Sequence, residues 1–227
     1  MDEKSGRNTD ESAQPSPPRW KGAQSIGTVH RFNERCLDLL CAVASSSTPE
    51  TTSPVIRENR ELWIGLDIEA RRRIAKMPFV ILDAHFKSAD WWRRVAQSVA
   101  DPSLGATATE IVESRSASSL PPEASKILMH EAMMFAWQLV GSDRTTAMMA
   151  FGILGRVTEI IAELTPKDIR EIATREHSAI TIRWADDVKL WREFLVAANA
   201  GDDNRLAALH LQVKLLLCGD LPQDGSS

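Results

Sequence analysis

The chain has 227 residues, of which 43% are hydrophobic and 26% charged, and its net charge is −4. That length suits one large domain or two small ones, and the composition is that of an ordinary globular protein. An acidic balance excludes a generic polyanion binder, so any nucleic-acid role needs a local basic patch or a basic partner.

Residues 1–28 are rich in Asp, Glu, Ser, Pro, Gly and Asn. Such a segment buries too little apolar area to offset its ordering entropy, which predicts a disordered tail. The first helix is predicted over residues 31–44, where Phe32, Cys36, Leu39, Leu40 and Val43 share a face. A Ser/Thr/Pro stretch over 45–54 breaks it. A second helix is expected over 55–66. Asp67 is placed to cap a third over 68–77, which Pro78 ends because the residue before proline avoids the α region. Phe79-Val80-Ile81-Leu82 reads as a short buried strand, and Asp90-Trp91-Trp92-Arg93-Arg94-Val95 starts another helix.

Residues 101–124 hold Pro102, Gly105, several serines and Pro121-Pro122, and they read as a linker between an N-terminal helical half (29–100) and a second half (125–222). The second half opens with an apolar helix over 127–140 and pauses at Gly141-Ser142-Asp143. A segment through Ala147, Met148, Phe151 and Gly152 follows. Leu154, Val157, Ile161 and Leu164 then mark one helix face. Thr165-Pro166-Lys167-Asp168 has the signature of a capping box with proline in the first turn. Ile169, Ile172 and Ala173 form the buried side of that helix. Ile180-Thr181-Ile182-Arg183-Trp184 alternates and is β-branched, as a short strand would be. Asp186-Asp187 and Asp202-Asp203 begin two last helices separated by Gly201, and 223–227 is a polar tail. The fold class is therefore mainly α, with two helical halves, short strands and a disordered N-terminal tail.

The halves echo one another. Leu66-Asp67, Ile74-Ala75, Phe86 and Trp92-Arg93 in the first stand where Leu164-Thr165, Ile172-Ala173, Trp184 and Trp191-Arg192 stand in the second. The spacing from Leu37 to Leu66 equals that from Phe135 to Leu164. Duplication would make the chain a fused pseudo-dimer whose two strands pair about a local two-fold axis. Chance similarity between amphipathic segments is the other reading.

Signals for catalysis are absent. The five histidines, His30, His85, His130, His177 and His210, show no HxxxH or HxxE spacing, and no CxxC pair occurs among the three cysteines, so no metal site or cofactor is expected. There is no GxSxG, P-loop or GxGxxG. Asp83 and His85 lie close at a strand end and are read as a hydrogen-bonded pair or as a cleft-facing one. Gly152 and Gly155 mark a helix break or a close crossing. An odd number of cysteines in apolar surroundings fits reduced thiols in the cytoplasm. No apolar run approaches the roughly 18 residues of a membrane span, and no signal-peptide core is visible.

Basic residues cluster at Arg71-Arg72-Arg73-Lys76, at Arg93-Arg94, and at Lys167, Arg170 and Arg175. Phosphate contact is one reading and a solvated face is the other. The methionines Met129, Met133, Met134, Met148 and Met149 read either as core or as an adaptable partner surface.

The second half resembles FlhD, the smaller subunit of the FlhD/FlhC flagellar master activator. The residues that carry the resemblance are Ala136 and Leu139, Asp143-Arg144 with Ala147-Met148, Phe151-Gly152-Ile153, Leu164-Thr165, Ile172-Ala173 and Arg183-Trp184. It is also similar to FlhD-type regulators carried by integrative and conjugative elements. The resemblance implies a largely helical, dimerising subunit of a transcription activator, working with an FlhC-like zinc-containing partner and reaching double-stranded DNA through the complex. It implies no catalysis and no membrane. On it, Arg144, Lys167, Arg170 and Arg175 are the expected phosphate contacts, and Met133, Trp137, Met148 and Phe151 the expected partner face. An anti-activator or adaptor without DNA contact is the alternative. Two departures stand out. The cysteine that the family uses for an inter-subunit disulfide is Ile180 here, and a family arginine before the Phe-Gly step is Ala150.

Overall fold

The computed structural model describes residues 21–46, 53–101 and 120–219, and among them lie eleven α-helices and one two-stranded sheet. The predicted tail over 1–28, the linker over 101–124 and the tail over 223–227 fall largely outside the described residues. The first helix, α1 (Lys21–Ser46), starts earlier than its apolar periodicity suggested. Its buried face carries Val29, Phe32, Cys36, Leu37, Leu40 and Val43.

Two short helices, α2 (Pro54–Glu58) and α3 (Arg60–Ile64), replace the single one expected over 55–66. Asn59 separates them. It is buried, and its amide donates to Val55 O (3.2 Å) and Val188 O (3.3 Å). Helix α4 (Ile68–Ala75) is capped as predicted: Asp67 Oδ1 accepts from Ala70 N at 2.7 Å.

Phe79, Val80, Ile81 and Leu82 are all buried, but strand β1 is only Leu82–Asp83. The reason lies in where the preceding backbone groups find partners. Val80 N donates to Ala150 O at 2.7 Å, and Ile81 N donates to Asn33 Oδ1 at 3.1 Å. The Asn33 amide in turn donates to Phe79 O at 2.9 Å. A helix end and a buried amide side chain thus serve this segment in place of a neighbouring strand.

Helix α5 (Ala89–Ala100) follows, capped by Ser88. The second half then runs through α6 (Pro122–Ser142), α7 (Arg144–Phe151), α8 (Gly155–Glu163), α9 (Pro166–Arg175), a 3-10 turn (His177–Ala179) and β2 (Thr181–Ile182). It ends with α10 (Val188–Ala200) and α11 (Asp203–Gly219). Gly152 ends α7 in the left-handed region (φ 61°), and the α7 and α8 axes meet at 115° across it, so the Gly-x-x-Gly spacing marks a helix break.

The strands pair antiparallel, Leu82 with Ile182 and Asp83 with Thr181. Around them one apolar core runs through both halves and includes Trp63, Trp92 and Trp191. Helix α1 packs on α3 and α4, and α6 packs on α8 and α9. The helix after each strand crosses to the other half, α5 onto α8 and α9, and α10 onto α3 and α4.

Candidate nucleic-acid interface

The cationic helix is α9. Its N-terminus is set by a reciprocal capping box. The Asp168 backbone N–H donates to Thr165 Oγ1 (3.2 Å), while Thr165 N and Thr165 Oγ1 both donate to Asp168 Oδ2 (2.8 and 2.7 Å). These hydrogen bonds hold the Asp168 carboxyl below the usual carboxylate range. Ile169, Ile172 and Ala173 face the core. The Trp137 indole N–H donates to Leu164 O at 2.8 Å and pins the α8–α9 turn against α6.

With its inner face fixed in this way, α9 presents Lys167 and Arg170 to solvent, and among the described residues neither is engaged in an ion pair. Arg144, in the first turn of α7, is also exposed. Arg175 is placed differently. It is half-buried, donates to Ser98 O (3.3 Å) and Ser98 Oγ (3.4 Å), and lies 3.5 Å from a Glu171 carboxylate oxygen. Arg175 ties α9 to α5 and has little of its fork left for an outside anion.

In the other basic runs Arg71, Arg72, Arg73 and Arg93 are paired within the chain, while Lys76 and Arg94 are exposed. Arg71 pairs with Asp38 (3.2 Å), Arg72 with Glu34 (3.2 Å) and Glu69 (2.6 Å), and Arg73 with Asp203 (3.6 Å). Arg93 pairs with Asp90 at 2.6 Å.

The predicted partner face divides on burial. Met133 and Phe151 lie in the core, so they hold the fold together and offer no docking surface. Trp137 is half-buried with its N–H already used, and Met148 is exposed. The sequence places Leu206, Leu209, Val213 and Leu216 along one side of the last helix and gives no role to Leu211 and Leu215; α11 leaves Leu211, Leu215 and Leu216 60%, 65% and 43% exposed, while Leu217 takes the inward place beside Leu206, Leu209 and Val213. The signal was present as too many leucines for one helix face.

Asp83 and His85 do not form a catalytic pair. Asp83 lies 3.4 Å from the Arg183 guanidinium, and the His85 ring sits against Trp91 with centroids 5.1 Å apart. Arg183 is buried. Its Nε donates to Val80 O at 2.8 Å and its Nη2 donates to Phe151 O, so it joins the second half's strand to the first half's loop. Burial pushes the Cys36 thiol up, which keeps it protonated and inert. No single helix among the described residues is long and apolar enough to cross a membrane.

The model of the FlhD family, described as flagellar transcriptional activator (FlhD), matches residues 131–221, a span that begins within α6 and takes in α7 to α11. Comparison with curated proteins and with solved structures gives no match. The family is one of transcriptional regulators rather than of enzymes. Its region here contains the cationic α9, the left-handed Gly152 break, the buried Arg183 and the leucine-bearing α11. Through its C-terminal part, then, this protein is similar to the FlhD family of flagellar transcriptional activators.

Proposed function

We propose that the protein is a cytoplasmic transcription-regulator subunit that activates promoters together with an FlhC-like zinc-containing partner, acting on motility genes or on transfer genes of a mobile element. The observation that carries this reading is the family match across the segment that exposes Lys167 and Arg170 on a rigidly capped helix. Phosphate contacts fix a protein's position on a duplex, and uncommitted lysine and arginine on a regular helix suit that task. Two or three such cations in a chain of net charge −4 make a small electrostatic footprint, so the partner supplies the rest of the positive field. Arg144, Lys167 and Arg170 are the phosphate-facing residues in this reading, and Arg175 supports α9 from behind.

A second reading is an adaptor that docks on a transcription complex without touching DNA. The exposed leucines of α11 and the exposed Met148 and Met149 favour it, since apolar side chains left outside a fold mark a protein-binding face.

The discriminating experiment is a salt-dependent mobility shift on promoter DNA, with and without the FlhC-like partner. Each phosphate contact contributes about 0.9 to the log–log salt slope. In the complex, Lys167→Glu with Arg170→Glu should therefore flatten that slope by about 2. Arg72→Gln should leave it unchanged, because Arg72 is already paired with Glu34 and Glu69. Absence of binding at low salt, alone and with partner, refutes DNA contact. An unchanged slope in the double variant refutes the assigned residues.

A further inference from the structure

The two halves correspond in three dimensions over most of their elements, and α11 has no counterpart among the described residues. A long helix, a capped helix, a short strand and a final helix occur in that order as α1, α4, β1 and α5, and again as α6, α9, β2 and α10. The helix caps match, Asp67 with Thr165 and Ser88 with Asp187. Shortly beyond each strand the backbone enters the left-handed region at a residue other than glycine, His85 in the first half and Trp184 in the second, both at φ 53°, so Trp184 corresponds to His85 and not to Phe86 as the sequence spacing suggested. They are the only such residues among those described. A bulky side chain rarely adopts this conformation, so its appearance twice at matching positions is hard to attribute to chance. The spacing from His85 to Trp184 is also that from Ser88 to Asp187, from Trp92 to Trp191 and from Arg93 to Arg192. Ahead of the strands the spacing is one residue shorter, and it holds for Leu37 and Phe135, Leu66 and Leu164, Ile74 and Ile172, and Ala75 and Ala173. Trp92 and Trp191 are both fully buried.

The packing is reciprocal as well. The antiparallel pair Leu82–Ile182 and Asp83–Thr181 places a local two-fold between the strands. About it, α5 lies on α8 and α9 of the second half, and α10 lies on α3 and α4 of the first. Each crossing is fastened by an arginine. Arg73 of α4 donates to Ala198 O in α10, and Arg175 of α9 donates to Ser98 O in α5, both at 3.3 Å. The helix that follows each strand, α5 or α10, packs on the other half's capped helix rather than on its own, so neither half closes its core alone. That exchange is the geometry of an intertwined dimer.

We propose that this chain is a fused dimer of one helical unit, closed on itself through residues 102–119, so that one chain does what two exchanged copies of the unit would do. The symmetry is broken on the outside. Lys167 and Arg170 correspond to Glu69 and Arg72, and Arg72 is held by Glu34 and Glu69. One chain therefore carries one open basic edge, where a dimer of identical units would carry two. A partner that engages this edge binds one per chain. The inference stands whether or not the edge contacts DNA.

The test uses the full chain with a cysteine pair across the two strands, Asp83→Cys with Thr181→Cys. A second variant, Leu82→Cys with Ile182→Cys, guards against loss of the Asp83–Arg183 pair. Mild oxidation should give a bridge within one chain in at least one variant, with a non-reducing mass near 25.2 kDa and a sedimenting particle of the same mass. A protease site inserted among residues 102–119 should, once cut, leave two fragments that remain together without denaturant. A bridge between two chains means that the halves exchange between copies and overturns the proposal. So does separation of the cut fragments into two folded species, and so does the absence of any bridge in both variants when each remains folded. None of these readouts involves DNA, so failure here and failure of the mobility shift are distinguishable.

Discussion

Replacing Arg183 by methionine should cost about 3–5 kcal/mol, the range found when one partner of a buried charged pair is removed. The side chain is 6% exposed. Its guanidinium donates to Val80 O and to Phe151 O and lies 3.4 Å from Asp83. Hydrogen bonds to a charged group contribute roughly 1.5–3 kcal/mol each, and the two carbonyls belong to the fully buried residues Val80 and Phe151. Methionine matches the length of the stem and restores part of the packing, which offsets some of the loss. Asp83, about a third exposed, is partly hydrated and adds less than a fully buried carboxylate would. Burial pulls the Arg183 pKa down and Asp83 pulls it back, so the pair is coupled. Asp83→Asn in the Arg183→Met background should therefore cost less than Asp83→Asn alone, with a coupling of about 0.5–3 kcal/mol. Urea unfolding followed by tryptophan fluorescence reads this directly, because Trp191 donates its indole N–H to Arg183 O at 2.8 Å. With a slope near 2–3 kcal/mol/M, the midpoint should fall by roughly 1–2 M. A loss under about 1 kcal/mol would refute the view that this guanidinium fastens the two halves together.

Two further outcomes follow from the same geometry. Gly152→Ala should lower stability by about 1–2 kcal/mol, because φ 61° is strained for any side chain and a new Cβ would meet Leu217 Cδ1 at 3.0 Å. A calorimetric scan should show a Tm lower by a few degrees, roughly 2–4 °C per kcal/mol at this size, and an unchanged Tm would count against the close α7–α11 approach. His210 and His30 both have pKa values pushed below 6.5, chiefly by burial, with Lys76 nearby opposing a further positive charge. A depressed histidine pKa means that the unfolded chain binds the proton first. Stability is then level above about pH 6.5 and falls as the solution is acidified below it. Denaturation at a series of pH values should show that fall, and His210→Asn should flatten it; a slope identical in the variant would remove His210 as its source.

The helices were legible where local signals and tertiary surroundings agree. Thr165, Pro166 and Asp168 announce a helix start by chemistry confined to four residues, and α9 begins there. Asp67 and Asp187 did the same for α4 and α10. The segment Phe79-Val80-Ile81 looked like a strand because it is apolar and β-rich, and its burial was read correctly. What the pattern could not show is that Asn33, far upstream, turns its amide into this segment and takes the place of a strand neighbour. An amide at a buried position looks the same in a sequence as one on a surface. Methionine misled in a related way. Met133 and Met148 look alike in the chain, yet only the packing of α6 inside the core separates the buried one from the exposed one.

For the basic residues, the difference between an open charge and a structural one depends on contacts remote in sequence. Lys167, Arg170 and Arg175 lie on roughly one side of α9 by spacing alone. That side is wide enough for a neighbouring helix to cover its flank, and α5 does so at Arg175 through Ser98. The richest cationic run in the chain, Arg71-Arg72-Arg73, would rank first by charge density. Of its neutralising acids only Glu69 is local; Glu34 and Asp38 lie on α1 and Asp203 on α11, outside any local window. The proposed internal repeat sharpens the point. Position for position, Arg72 and Arg170 are the same residue type on corresponding capped helices and both are exposed, but one pairs with two carboxylates and the other has no ion pair among the described residues. Equal sequence signals thus carry unequal chemistry once the fold assigns partners. In the proposed fused dimer that inequality leaves a single basic edge, and the proposed contact with DNA phosphate rests on it.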